Sequence, residues 1–377
     1  MKFTNCVTLV GSKPKRYEGT KRYVSTGALA VDHIDEESVE LVGYEDRPSR
    51  ADLTAESGDV LFAKMADTKK TILLDKENAE NIYSTGFFAV RAKPGMITAE
   101  CLYYLLTSDV FLRQKNKHSS GATQRAITNK GLEAIDISIP NLDEQTRLVA
   151  KLDALSKVIK SREQQLAELD NLIKARFVEL FGDSKVNPYG FNKVRLEDSC
   201  EIVTGNTPSR TVNDYYGDYI EWIKTDNIMA EMMYPTRATE SLSEVGLKVG
   251  RYVEKGAILM ACIAGSVASI GKVCITDRQV AFNQQINAIV PKKYNALFLY
   301  VLLQTSKDYL VEELNMALKG ILSKSKLGEK TFILPPMDQQ NAFAAFVAQI
   351  DKSKVVVQKA LEEAQLLFDS LMQEYFG

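Results

Sequence analysis

Two long stretches of the chain carry apolar residues in alternating steps of four and three. In the first, Leu148, Leu152, Leu155, Ile159, Leu166, Leu169, Ile173 and Leu180 keep this spacing, with Arg162 and Arg176 in the two gaps. In the second, Phe343, Val347, Ile350, Val357, Leu361, Ala364, Phe368, Leu371 and Tyr375 keep it, with Lys354 in the single gap. A 4-3 pattern held over about five heptads predicts a coiled-coil seam. Neither run is broken by Pro or Gly, and Gly182 and Gly377 stand just past the ends as C-terminal stops. Asp143 and Asp338 open the runs as N-caps or as first-turn acids that suit the helix dipole. Each predicted helix is about 39 residues, roughly 58 Å long.

The two stretches are also copies. IPNLDEQTRLVAKLDAL at 139–155 and LPPMDQQNAFAAFVAQI at 334–350 lie 195 positions apart. The same offset carries 140–182 onto 335–377, 43 positions without a gap, and ends with Phe181-Gly182 on Phe376-Gly377. A period this long is too large for a solenoid and indicates two domains, each followed by the same element. The charged gaps do not coincide: Arg162 falls on Val357, Arg176 on Leu371 and Lys354 on Ile159. A helix paired with its own copy would set like charges together, so the pattern favours the two helices pairing with each other. Within one chain they would run antiparallel.

Fainter echoes link the segments between. GSKPKR at 11–16 matches GNTPSR at 205–210, YVSTGAL at 23–29 matches WIKTDNI at 222–228, and SGDVLF at 57–62 matches KGAILM at 255–260. GFFAVRAKP at 86–94 lies over QINAIVPKK at 285–293, and YYLLTS at 103–108 over YVLLQTS at 300–306. These blocks read as short strands and turns, then one helix, then a loop into the coil. The expected fold is α+β: two pseudo-repeated globular domains, at 1–139 and 183–334, separated by the antiparallel coiled coil of helices at 140–182 and 335–377.

Composition narrows the functional classes. At 377 residues, 45% hydrophobic and 25% charged, the chain is long enough for two domains with proper cores. No apolar run approaches a membrane span, and MKFTNCVTLVGSKPKR lacks the apolar stretch of a signal peptide. Cys6, Cys101, Cys200, Cys262 and Cys274 are odd in number and form no C-x-x-C, which reads as buried free thiols in a reducing cytoplasm. The net charge of −2 means that any basic surface is local. A search for chemistry is negative. His33 and His118 stand in unrelated contexts, and no zinc cluster, phosphate loop or nucleophile elbow occurs. NPYG at 187–190 resembles the N-P-P-[YF] of amino-methyltransferases, but lacks the second Pro and any glycine-rich cofactor loop, and reads as a turn. SKSK at 323–326 reads as a basic loop.

What remains is polar loops rich in cations and amides. The first domain offers Lys13, Lys15, Arg16, Lys21 and Arg22, then Lys64, Lys69 and Lys70, then Gln124 and Arg125 just before the coil. The second offers Thr207, Ser209 and Arg210, then Lys224, then Lys319, Lys324 and Lys326. Lys and Arg meet phosphates, while Gln, Thr and Arg also reach base edges. A single such loop is commonly only a solvated surface; equivalent loops in both halves favour binding to double-stranded DNA.

With these motifs the sequence resembles the specificity subunits of type I restriction–modification systems. The resemblance spans the chain and is strongest in TGNTPSR…YYGDYIEWIKTDNI at 204–228 and in the IPNLDEQ and LPPMDQQ segments. It implies that each domain is a target recognition domain reading one half of a split DNA site. It also implies that the coiled coil docks two methyltransferase subunits, that restriction (translocase) subunits join the assembly, and that the chain has no catalytic activity. No cofactor is then expected in this chain; S-adenosyl-methionine would be held by the methyltransferase partners. The first domain departs from the pattern, with GSKPKR and YVSTG in place of G-x-T-P-S-R and W-I-K. Two other readings remain: a self-contained DNA modification enzyme, and a coiled-coil scaffold that binds only proteins.

Overall fold

The computed structural model describes residues 1–122, 124–229, 232–263, 269–312 and 320–377. The chain divides into two compact units, residues 1–163 with 359–377, and residues 164–358.

In the first unit the short helix α1 (Phe3–Cys6) leads into β1 (Val7–Val10), β2 (Thr20–Val24), β3 (Glu40–Gly43), β4 (Ala51–Leu53), β5 (Val60–Ala63), β6 (Thr71–Leu73), β7 (Ile82–Ser84) and β8 (Phe87–Ala92). They form two four-stranded sheets, ordered β1-β8-β5-β6 and β3-β2-β7-β4. The alternation along β5 explains the layering. Val60 and Phe62 pack with Cys101, Leu102 and Leu105 of α2 (Ala99–Thr107), whereas Leu61 and Ala63 pack with Val24 and Tyr83 of the second sheet and with Phe87 of β8. Helices α3 (Asp109–Lys117) and α4 (Asn129–Ala134) follow, with the small hairpin β9 (Ser119–Ser120) and β10 (Ala126–Ile127) between them. The single predicted helix is thus two helices in succession. Ser108 ends α2 and caps α3 by accepting from Phe111 N–H.

The second unit repeats this plan. After β11 (Lys193–Arg195) and α6 (Leu196–Ser199) come β12 (Cys200–Thr204), β13 (Tyr216–Gly217), β14 (Ile220–Ile223), β15 (Ser241–Leu242), α7 (Glu244–Val249), β16 (Tyr252–Val253), β17 (Ile258–Ala261), β18 (Val273–Ile275), β19 (Val280–Phe282) and β20 (Ile286–Pro291). The sheet β12-β20-β17-β18 has the strand order of β1-β8-β5-β6. The parallel pair β14–β19, with Trp222 opposite Ala281, corresponds to β2–β7, with Tyr23 opposite Ile82. Helices α8 (Ala296–Thr305), α9 (Lys307–Val311) and α10 (Lys324–Glu329) and strand β21 (Thr331–Ile333) complete it.

The repeated helices are α5 (Leu142–Phe181) and α11 (Met337–Phe376), each 40 residues and each shared between the units. Within the second unit they run antiparallel. Phe181 meets Phe343 at 5.5 Å, and eleven residues back along α5 Asp170 meets Lys354, eleven residues forward along α11. Within the first unit Leu148 and Leu152 share a core with Met372 and Phe376. Leu155, Ile159, Leu166, Leu169, Val357, Leu361, Phe368 and Leu371 are half-buried. One detail differs from the heptad pattern. Leu180 is exposed, and the buried residues at that end are Ile173, Phe177 and Phe181. Two successive steps of four turn the buried stripe round the helix, away from the heptad position, and the two phenylalanines join Phe298 and Phe343 in one aromatic cluster. The helix cap is Asn141, and Asp143 takes the second of the two roles read for it, a first-turn acid. Its side chain accepts from Glu144 N–H at 3.0 Å and Glu144 returns the bond to Asn141 N–H at 3.2 Å, a capping box that leaves Asp143 in the first turn.

The repeated Gln explains why the opening motif occurs twice. Gln145 is fully buried; its Oε1 accepts from Thr98 N–H, and its Nε2 donates to the carbonyls of Met96 and Pro140, all at 2.9 Å. Gln340, 1% exposed, accepts from Asn295 N–H at 2.9 Å and donates to Pro335 O at 2.8 Å. Thr98 and Asn295 are the N-caps of α2 and α8. One amide side chain therefore ties the start of each long helix to the start of a core helix in its unit.

Candidate nucleic-acid interface

In the second unit TGNTPSR folds around two aromatic rings. Gly205 is required there: a Cβ would lie 2.1 Å from Asn283 O. The Asn206 carbonyl accepts from Trp222 Nε1–H at 3.3 Å, and the Pro208 carbonyl accepts from Tyr216 O–H at 2.7 Å. The chain then returns Arg210 across both rings, 4.4 Å from the Tyr216 centroid and 5.1 Å from that of Trp222. Trp222 is 2% exposed, a buried strand aromatic and not a platform for a base. Glu240 accepts from Lys224 at 2.5 Å and pairs with Arg210 at 2.6 Å. The Lys224 hydrogen bond, aided by Arg210, holds the Glu240 carboxyl below its ordinary range. Thr207 donates to Gln284, and Ser209 bonds Thr211 at 2.8 Å.

Lys324 and Lys326 lie on α10, capped by Ser323, so SKSK is the start of a short helix and not a loop. Lys324 faces an open groove of about 640 Å³ beside β12, with Arg251, Lys292, Glu197 and Glu201. Sequence reading missed Arg251 and Lys292, which come from strand ends distant in the chain. Lys319 lies outside the described residues. NPYG forms the expected turn, with Asn187 at φ +54 and bonded through its side chain to Phe191 on both sides.

In the first unit the structure brings two of the predicted loops together. Ala66 N–H donates to Arg125 O, and Ile127 N–H to Lys64 O, both at 2.9 Å, so 64–70 runs beside the loop holding Gln124 and Arg125. Lys64 and Lys70 are partly spent on the fold. Their ammonium groups donate to Thr85 O and Thr26 O at 2.8 Å, and burial lowers the pKa of Lys64. Buried Lys115, which sequence reading passed over, donates to Ala63 O at 3.2 Å and to Thr68 O, and burial brings its pKa down to about 8. Lys13 pairs with Asp52 at 3.4 Å, Arg16 with Glu45 at 3.2 Å, Arg22 with Glu36 at 2.7 Å and Lys69 with Asp109 at 2.8 Å. Lys15 is exposed, and Lys21 lies 5.6 Å above Tyr17. Tyr23 holds the strand position of Trp222, and nearby Tyr17 and Tyr44 stand edge to face at 5.5 Å, with Arg47 4.3 Å above Tyr44. Arg47 was missed; RPSR at 47–50 is the signal that held it.

Chemically these faces offer cations, amides and hydroxyls. All five cysteines are free and buried. Among the described residues no group of three or more His, Cys, Asp or Glu could hold a metal ion, and no helix is long and apolar enough to cross a membrane.

A duplicated α+β scaffold, with a basic and aromatic loop face in each copy and an antiparallel helix pair, defines the class. The chain matches the family described as type I restriction modification DNA specificity domain twice, over residues 13–171 and 188–365, and belongs to that family. It is 32% identical over 160 residues to the type I restriction enzyme HindI specificity subunit of Haemophilus influenzae, covering 41% of this chain and 34% of that protein. It is 27% identical over 188 residues to the MjaIX specificity subunit of Methanocaldococcus jannaschii, covering 48% and 43%. The matched stretch thus spans less than half of either curated relative. Two solved structures share the fold over its whole length. One is a chain from a type I restriction–modification system (TM-score 0.56, 21% identity, 98% of that chain). The other is the S subunit of M. genitalium (TM-score 0.58, 14% identity, 95% of that chain).

Proposed function

We propose that this chain is the DNA sequence-specificity subunit of a type I restriction–modification complex, in which each unit reads one half of a bipartite site. One observation carries the reading: the specificity-domain family matches the chain twice, and the two matches fall on units with the same strand order and an arginine at the same place after the edge strand, Arg16 and Arg210. Phosphates would meet the cations of these faces, and bases the amides, hydroxyls and arginines of the loops. Two half-sites held by one chain gain avidity without either being bound tightly. The long helices scaffold two methyltransferase subunits and the restriction subunits, in the cytoplasm. Methyl transfer belongs to the partners, which carry S-adenosyl-methionine and flip the target base out of the duplex; this chain is not itself catalytic.

A domain exchange tests it. Residues 1–139 are replaced by the equivalent segment of a relative with a different target, and host DNA is sequenced for methylated bases. One half of the methylated motif should change and the other stay. A motif that changes in both halves, or in neither, overturns the assignment of one half-site to each unit.

A further inference from the structure

Several outward-facing cations are held by carboxylates, and Glu240 holds two of them against one aromatic ring. Arg16–Glu45 is a lone pair at the surface, with side chains 81% and 76% exposed. Glu240 is 35% exposed and holds two cations at once, Arg210 and Lys224, both lying against the face of Trp222. It cannot swing away with its backbone, because its carbonyl accepts from Trp222 N–H at 3.0 Å. Arg210 in turn is kept over Tyr216 and Trp222 by the loop whose carbonyls those rings bond. A phosphate arriving at Arg210 therefore meets a fixed anion already occupying the guanidinium and the neighbouring ammonium.

We propose that Glu240 is a specificity-determining residue, a carboxylate that competes with DNA phosphate for Arg210 and Lys224. The two cations pass to the duplex only where the base contacts of the second unit hold it in place. This rests on the DNA-reading function above. The physical reason is a difference of affinities. The carboxylate must be displaced before the phosphate contact forms; a duplex held by base contacts makes that exchange and one without them does not, and specificity is that difference in affinity. Without the carboxylate, Arg210 and Lys224 would grip any backbone, and affinity would rise as discrimination fell.

The test uses the full chain with two duplexes of equal length, one carrying the motif methylated in host DNA and one with that motif scrambled, over a series of salt concentrations. Glu240→Gln keeps the shape and removes the charge. It should bind the scrambled duplex roughly ten-fold tighter at low salt, with a salt slope steeper by about 0.9 for each cation released. The preference for the true motif should shrink. On the scrambled duplex, Arg210→Ala should barely move the slope in the parent but lower it by about 0.9 in the Glu240→Gln background. Glu240→Asp, one methylene too short to hold both cations, should shift binding the same way by less, and serves if Glu240→Gln fails to fold. Glu45→Gln should change scrambled binding by less than about two-fold. Unchanged scrambled binding in both Glu240 variants, or equal slope losses for Arg210→Ala in both backgrounds on the scrambled duplex, overturns the gate while leaving DNA reading intact. A parent chain that prefers neither duplex at any salt overturns the DNA reading, and the gate with it.

Discussion

Replacing Gln145 with Ala removes the amide that ties the start of α5 to the start of α2. Three partly buried backbone groups lose their partner: Thr98 N–H, Met96 C=O and Pro140 C=O. A buried polar group left unsatisfied costs about 1–3 kcal/mol. Water entering the vacated volume relieves part of this, so the expected loss is about 3–6 kcal/mol, a large share of the stability of a domain. Gln340→Ala strands two groups, Asn295 N–H and Pro335 C=O, and should cost about 2–4 kcal/mol by the same reasoning. Gln145→Glu is the informative control. It keeps an acceptor for Thr98 but turns a carboxylate toward two carbonyls, so it should be at least as damaging as Ala at neutral pH. Urea titration followed by far-ultraviolet circular dichroism measures all three. Trp222, the sole tryptophan, lies in the second unit, and its fluorescence reads Gln340→Ala directly. Losses below about 1 kcal/mol for Gln145→Ala, with an unchanged m-value, would show that the motif recurs for some reason other than this lock.

Lys354, 16% exposed in the seam, is bound to Asp170 at 2.6 Å. Asp170→Ala should therefore cost about 1–3 kcal/mol in urea titration, whereas Asp170→Leu with Lys354→Met should come within about 1 kcal/mol of the parent. Burial would raise the pKa of Glu221, but bonds from Arg278, Arg237 and Ala238 N–H bring it down to about 2 from its ordinary 4.5. A depressed carboxylate stabilises above its unfolded pKa and loses that contribution as pH falls toward the folded value. Thermal melts should thus show the parent losing stability between about pH 4.5 and 2, and Glu221→Gln should be less stable at pH 7 with a shallower acid slope. In the groove beside β12, replacing Arg251, Lys292 and Lys324 together by Ala should lower the salt slope of duplex binding by about 0.9 per lost contact. An unchanged slope removes that groove from the DNA path.

How much of this could be read from the sequence depends on the distance over which the deciding contact acts. The seam is a local rule, and Leu148, Leu152, Phe343 and Val347 are buried where the spacing put them. The offset of 195 and the short block matches already implied two units with one plan, and the shared strand order follows from that. The failures begin where a larger side chain competes. Phe177 and Phe181 displace Leu180 because an aromatic cluster buries more area than the strict heptad would. Asn141 takes the cap because Glu144 can answer it, and Asp143 keeps the first-turn place that the sequence also allowed.

The candidate site was legible as a composition and not as an arrangement. Arg210 and Lys224 were visible as cations in loops, but their shared partner Glu240 is set by strand register, which places it opposite Trp222. Nothing near Glu240 in the sequence marks it. The same holds for Asp52, Glu36 and Asp109, which hold Lys13, Arg22 and Lys69 from other elements. The near-neutral charge of the chain was the one clue: 47 basic and 49 acidic residues leave no cationic excess over the chain as a whole. A surface built this way gains little from long-range attraction to DNA, since pairs screen each other within a Debye length. Its affinity must come from contacts made at close range, which are the contacts that distinguish one sequence from another.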